Sequence, residues 1–218
     1  TLSEDTSCLS NCSLNESTRC GTWLVEEDLQ KRTGVYELNQ GVVNVSCVFS
    51  SLPRPATVVW SHRGKGESSW NAVRCNSQDE HRQCSTEGEQ KVASRCIIRT
   101  NNLTLTGALR CEGTTMNHDH SQTHAKSQLE VVGIEKVEAL DTRLKPGKSG
   151  HVEVEICANP RPEVWWSTRE GLILPGDGKT GFASSHLAVR MSREEEGGPA
   201  KIVPYCYQIR LVVQNVER

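Results

Sequence analysis

The sequence has no long apolar run, no sustained helical periodicity and no surplus of either charge, and each absence narrows what it encodes. No stretch approaches the ~20 consecutive apolar residues that a membrane-spanning helix needs. No apolar run at the N-terminus reads as a signal peptide, which fits a mature or trimmed form. The 25 Lys and Arg residues stand against 27 Asp and Glu, for a net charge of -2. Residues 1–134 carry 13 basic and 15 acidic side chains and the remainder 12 of each, so neither part attracts nucleic acid or an anionic membrane. Motifs of catalysis are missing too: there is no G-x-S-x-G, no H-E-x-x-H, no P-loop and no paired-carboxylate pattern, so an enzyme is not expected. No cofactor is implied. One segment, "GTWLVEEDLQKR" (21–32), has a pattern that suits a short helix.

What the chain does have is cysteine. Ten of them lie at positions 8, 12, 20, 47, 75, 84, 96, 111, 157 and 206. The close pairs, Cys8 with Cys12 and Cys75 with Cys84, lack the repeated Cys-x2-Cys of a zinc site. A disulfide set made in an oxidising compartment accounts for them better. Four N-x-[ST] sequons point the same way, at Asn11, Asn15, Asn44 and Asn102. Together they predict an extracellular glycoprotein, secreted or at the cell surface, with all its glycans before residue 134.

Short runs of β-type residues, bounded by Gly, Pro, Asn and Ser, fill most of the chain. "GVVNVSCVF" (41–49), "ATVVWSH" (56–62), "SQLEVVGI" (127–134), "HVEVEICA" (151–158) and "EVWWST" (163–168) are examples. Several alternate apolar and polar residues, as a strand with one buried and one wet face does. An all-β sandwich or barrel is the expected class. The stretch "CVFSSLPRPATVVW" (47–60) sets a cysteine on an inward strand position, a Pro-containing turn and a strand ending in Trp60. "LTGALRCEG" (105–113) follows with Cys111 in small, apolar company. In these residues the chain resembles the immunoglobulin superfamily, from about residue 35 onward. The resemblance implies a sandwich in which Trp60 packs on a Cys47–Cys111 bridge between two sheets. Leu109 stands where the family's corner tyrosine normally is.

The second half repeats the scheme in "VEVEICANPRPEVWWS", with Cys157 and then Trp165 or Trp166, of which Trp165 is the expected core ring. "VVGIEKVEAL" (131–140) runs from the last strand of one unit into the next without a Gly/Ser-rich linker. The expected domains are a cysteine-rich arm over 1–34 packed on the first domain, a variable-type or intermediate domain over 35–134, and a second domain over 135–218. Aligning "LVVQNV" (211–216) with "IIRTNNL" (97–103) puts the counterpart of the Cys111 strand beyond Arg218. Cys206 then lies on the strand beside that of Cys157, the alternative being the facing sheet, and the two cysteines pair either way. "NPRPEVWW" and "CYQIRLVVQNVE" are similar to domains of the echinoid, sidestep and beaten-path groups of invertebrate neuronal recognition proteins.

The family resemblance implies binding of another extracellular protein, homophilic or heterophilic, without catalysis. The full protein would then be held at a membrane through segments outside this chain. A secreted binder of a soluble peptide or growth factor is the alternative. Two stretches stand out as contact surfaces. "MNHDHSQTH" (116–124) gathers His118, His120 and His124 in an expected hairpin loop; a shared Zn²⁺ is conceivable there, but a solvated polar turn is the simpler reading and no metal site is expected. "HRGKGESSWNAVRCNSQDEHRQC" (62–84) holds Trp70 in polar company, as an exposed anchor or tucked on its own sheet, with Cys75 and Cys84 expected to close the hairpin on itself. Cys8, Cys12, Cys20 and Cys96 are left to pair among themselves. "RLKPGKSG" (143–150) sets three basic residues in a turn, where a heparan-type contact is conceivable.

Overall fold

Period-two alternation decides the architecture. The computed structural model describes residues 21–27, 34–52, 56–84, 89–115, 122–192, 200–214 and 216. Among them there is no α-helix, and hence none long and apolar enough to cross a membrane. Two units form, one of residues up to Asn101 with 105–131, the other of Asn102–Thr104 with Val132 onward.

Strands β1 (Gly21–Glu27), β2 (Gly34–Glu37), β3 (Val42–Leu52), β4 (Thr57–Gly64) and β5 (Asn71–Ala72) open the first unit. After them come β6 (Ser77–Cys84), β7 (Gln90–Arg99), β8 (Gly107–Thr114) and β9 (Gln122–Arg143). One antiparallel sheet runs β1-β3-β7-β6; facing it is β9-β8-β4-β5, with β2 on the outer edge of β9. That is the immunoglobulin arrangement. Val43, Val45, Cys47 and Phe49 point inward from β3 and Leu109 and Cys111 from β8, all essentially buried. Cys47 and Cys111 are bonded across the core, 6.7 Å apart at Cα. Trp60, 3% exposed, belongs to the same core, and its indole N–H donates to Ser94 Oγ of the opposite sheet at 3.0 Å. A buried indole leaves no polar atom unpaired that way. Gly113 is required where it stands, because a Cβ there would lie 2.7 Å from the Phe49 ring.

Two sequence expectations need correction in this unit. Gly21–Glu27 is strand β1, not helix: pairing with β3 over Gly21–Leu52 to Glu27–Cys47 overrides a weak helical pattern. Cys75 bonds Cys96, 5.3 Å away at Cα, rather than Cys84. Strand β6 starts two residues after Cys75 and runs extended to Cys84 itself, which carries Cys84 roughly 25 Å away, far beyond the reach of one bridge. Cys84 is itself disulfide-bonded. Cys8, Cys12 and Cys20 lie outside the described residues, with residues 1–20 and 28–33 of the expected arm, whereas its Gly21–Glu27 segment is β1.

The second unit takes Val132–Arg143 of β9 as its first strand. Strands β10 (Gly150–Asn159), β11 (Trp166–Thr168), β12 (Gly171–Ile173) and β13 (Gly178–Lys179) follow, then β14 (Phe182–Ser184), β15 (Ala188–Ser192) and β16 (Lys201–Val213). β10 pairs with β9 on one side and β16 on the other; β14 and β15 pair with β16. β11 and β12 form a separate hairpin. Cys206 stands directly opposite Cys157 on the neighbouring strand, with Cα atoms 4.0 Å apart, so this bridge lies within one sheet.

The expected core ring here is also corrected. Successive strand residues face opposite ways: Trp166 packs against the small core of Ile156, Ala158 and Ile209, with its N–H on Ser184 Oγ at 3.0 Å, while Trp165 is 57% exposed.

Non-reducing digestion and mass spectrometry should recover Cys75 linked to Cys96 and Cys157 linked to Cys206. A Cys75–Cys84 peptide would contradict the pairing. Replacing Cys47 and Cys111 by Ala should cost about 2–5 kcal/mol in urea unfolding, with Cys157 and Cys206 still linked.

Candidate interaction face of the first unit

The alternation that buries Trp60, Leu109 and Cys111 turns their neighbours outward. From β4 these are Val59, Ser61 and Arg63; from β8, Ala108, Arg110 and Glu112; from β9, His124, Lys126 and Gln128. Register places Ser61 beside Arg110, Val59 beside Glu112, and Glu112 beside His124. Val59 is 45% exposed.

Trp70 lies on this face, just before β5, and is half-buried. The Arg110 guanidinium carbon is 4.5 Å from its ring centroid and that of Arg63 is 4.9 Å away. Two cations at that range hold an indole by its electron-rich face, each contact contributing roughly 0.5–1 kcal/mol at an exposed site. Arg110 is fixed further, its Nε donating to Ser61 Oγ at 3.1 Å and its Nη1 pairing with Glu112 at 3.2 Å. Trp70 is therefore neither projecting nor in the core: it is laid on its own sheet and held there. Arg63 and Arg110 went unremarked in the sequence. The signal was present, since "WSHR" and "LRC" put each an odd number of residues from a buried Trp or Cys.

The histidines divide. His118 and His120 lie outside the described residues. His124 is on β9, exposed, because the strand resumes at Gln122, earlier than the expected loop allowed. No group of three metal-ligating side chains occurs among the described residues. Asn11 and Asn15 also lie outside. Asn44 is on the wet side of β3, in the other sheet, accepting a hydrogen bond from Arg95 Nε at 2.7 Å. Asn102 sits in the turn before β8, its Oδ1 accepting the Thr104 amide at 2.7 Å.

In the second unit the polar side of the sheet is a lattice of ion pairs around a cavity of about 870 Å³. Asp141 accepts from His151 and pairs with Arg143, both at 3.1 Å, and Glu153 takes Arg210 at 2.6 Å. The His151 hydrogen bond, with help from Arg143, holds the Asp141 carboxyl below the usual range. Of the three basic residues in the 143–150 turn, Arg143 is thus spent within the chain, and Lys145 and Lys148 are exposed.

No protein-family model matches the chain, and no curated protein matches it. Among solved structures, the crystal structure of Dpr2 Ig1-Ig2 in complex with DIP-Theta Ig1-Ig3 is matched at 15% identity with a TM-score of 0.48. The match covers 91% of this chain and 56% of that one, so the chain spans little more than half its length.

Between Ser61 and Arg63, His62 faces inward, and its Nε2–H donates to Leu105 O at 3.0 Å. Burial lowers its pKa, against the raising effects of that hydrogen bond and of Glu67. The unfolded chain, with a pKa near ~6.5, therefore binds the proton more readily. The stability this group contributes is whole above about pH 6.5 and is lost as pH falls toward the lower folded value. Thermal unfolding from pH 7.5 to 5.5 should show melting temperature falling, and falling less in His62→Gln; an equal slope in both proteins would refute the assignment.

Proposed function

We propose that this chain is part of the extracellular portion of a recognition protein, and that it binds a protein partner, without catalysis, through the outer face of β9-β8-β4-β5. The observation that carries the reading is Trp70, half-buried and held in place by Arg63 and Arg110 on an open sheet face. Interface energy concentrates in Trp, Tyr and Arg side chains, and a pre-fixed anchor loses less entropy on binding. Exposed Val59 adds apolar area on the same face, and Arg110 with Glu112 supplies polar specificity.

Glycan placement fits the same picture. The Asn44 sequon lies on the opposite sheet, so sugar there leaves the Trp70 face uncovered. Disulfides and sequons support an extracellular setting, at a surface or secreted; attachment to a membrane would come from segments other than these.

The test is a binding screen of the purified glycoprotein against a panel of extracellular domains, itself included, with sedimentation equilibrium for self-association. Trp70→Ala and, independently, Val59→Arg should each weaken the interaction by about tenfold or more, with unchanged circular dichroism. His81→Ala, on β6 of the other sheet, should bind as wild type. If His81→Ala abolishes binding while both face variants retain it, the partner docks on the other sheet and the proposal fails.

A further inference from the structure

Resting on that reading of the face, we infer that it takes an acidic side chain of the partner, an Asp or Glu carboxylate, in a cavity beside Arg63. The two guanidiniums on Trp70 are in different states. Arg110 has its N–H edges engaged by Ser61 and Glu112. Arg63 touches the same ring, yet among the described residues its side chain makes no hydrogen bond or ion pair. A guanidinium stacked on an aromatic face keeps its N–H groups in its own plane, where a carboxylate is bound by two parallel hydrogen bonds. Arg63 is half-buried and already positioned, so little side-chain freedom is lost when an acceptor arrives.

The acceptor has a place to go. A cavity of about 450 Å³ opens next to Arg63, between the turn after β4 and the start of β8. Gly107 lies on its wall; a Cβ there would come 2.2 Å from the Arg63 carbonyl oxygen, so the absence of a side chain lets the two strands close up at this point. Lys65 supplies a second cation from the turn, with no side-chain partner among the described residues. Two acids also line the cavity. Glu67, exposed in the turn, has its carboxylate accepting the Gly64 amide at 3.2 Å and Asn71 Nδ2 at 3.3 Å. Glu130, exposed on β9, is the wall's other acid and opposes an incoming anion. Arg63 and Lys65 match Glu67 and Glu130 in formal charge, so the pull on an incoming carboxylate comes from the unengaged Arg63 fork, with Glu130 tempering affinity, rather than from net charge.

The experiment is an NMR titration of the ¹⁵N-labelled chain with N-acetylglutamate N-methylamide, and with its neutral glutamine counterpart. The acidic probe should give saturable shifts at the amides of Gly64, Lys65, Gly66 and Gly107, and the neutral probe should give none. Arg63→Gln should weaken the acidic probe by about fivefold and Glu130→Gln should tighten it by about twofold. Arg63→Lys, which keeps the charge without the fork, should fall between wild type and Arg63→Gln. Linear, unsaturated shifts, an equal response to the neutral probe, or an unchanged response in Arg63→Gln would overturn the inference. The two readings fail separately. If Trp70→Ala and Val59→Arg both leave partner binding intact, the face itself is wrong, whatever the probe does. If they abolish it while Arg63→Gln binds the probe as wild type does, only the carboxylate site is wrong.

Discussion

The bond between Cys47 and Cys111, with Trp60 in the same core, is the contact from which the first unit follows. It joins β3 of one sheet to β8 of the other, and Trp60 reaches back across the gap to Ser94. Once those residues are inside, period two leaves no choice for their neighbours. Val59, Ser61, Arg63, Arg110 and Glu112 point outward because Trp60 and Cys111 point inward. The candidate face is in that sense the reverse side of the core, and its precision is inherited from packing that serves stability.

The second unit uses the same residue types to a different end. Its cysteines face each other across neighbouring strands, so the bond reinforces a ladder that hydrogen bonds already hold. Joining the β11–β12 hairpin to the sheet is left to Trp166, packed on a small group of aliphatic side chains. On the polar side, Glu155 is buried with Lys136 and Arg190 on its carboxylate. A buried charge of this kind is tolerated only with partners in place, and removing both cations would leave an uncompensated carboxylate.

Much of this was legible in residue order. The alternation in "VNVSCVF" gave strands and core, which depend on neighbours a few positions apart, while the partner of Cys47, 64 positions on, came only through the family resemblance. The partner of Cys75 was not legible. It is decided by where β6 runs, and a straight strand between two cysteines keeps them apart however close they are in sequence. Trp165 and Trp166 show the same limit at a finer scale, because alternation says that one of them is inside and the strand's register says which. Trp70 was visible as an oddity, but its two guanidiniums come from β4 and β8, 47 positions apart, and only the sheet brings them together.

Strand β9 carries His124, Lys126 and Gln128 on the candidate face and continues without a break to Arg143, where it is hydrogen-bonded to β10. Within either ladder, tension on this strand would meet an antiparallel neighbour along its flank. The pull would act along the strand, against hydrogen bonds that run crosswise to it and must be sheared together rather than peeled one by one.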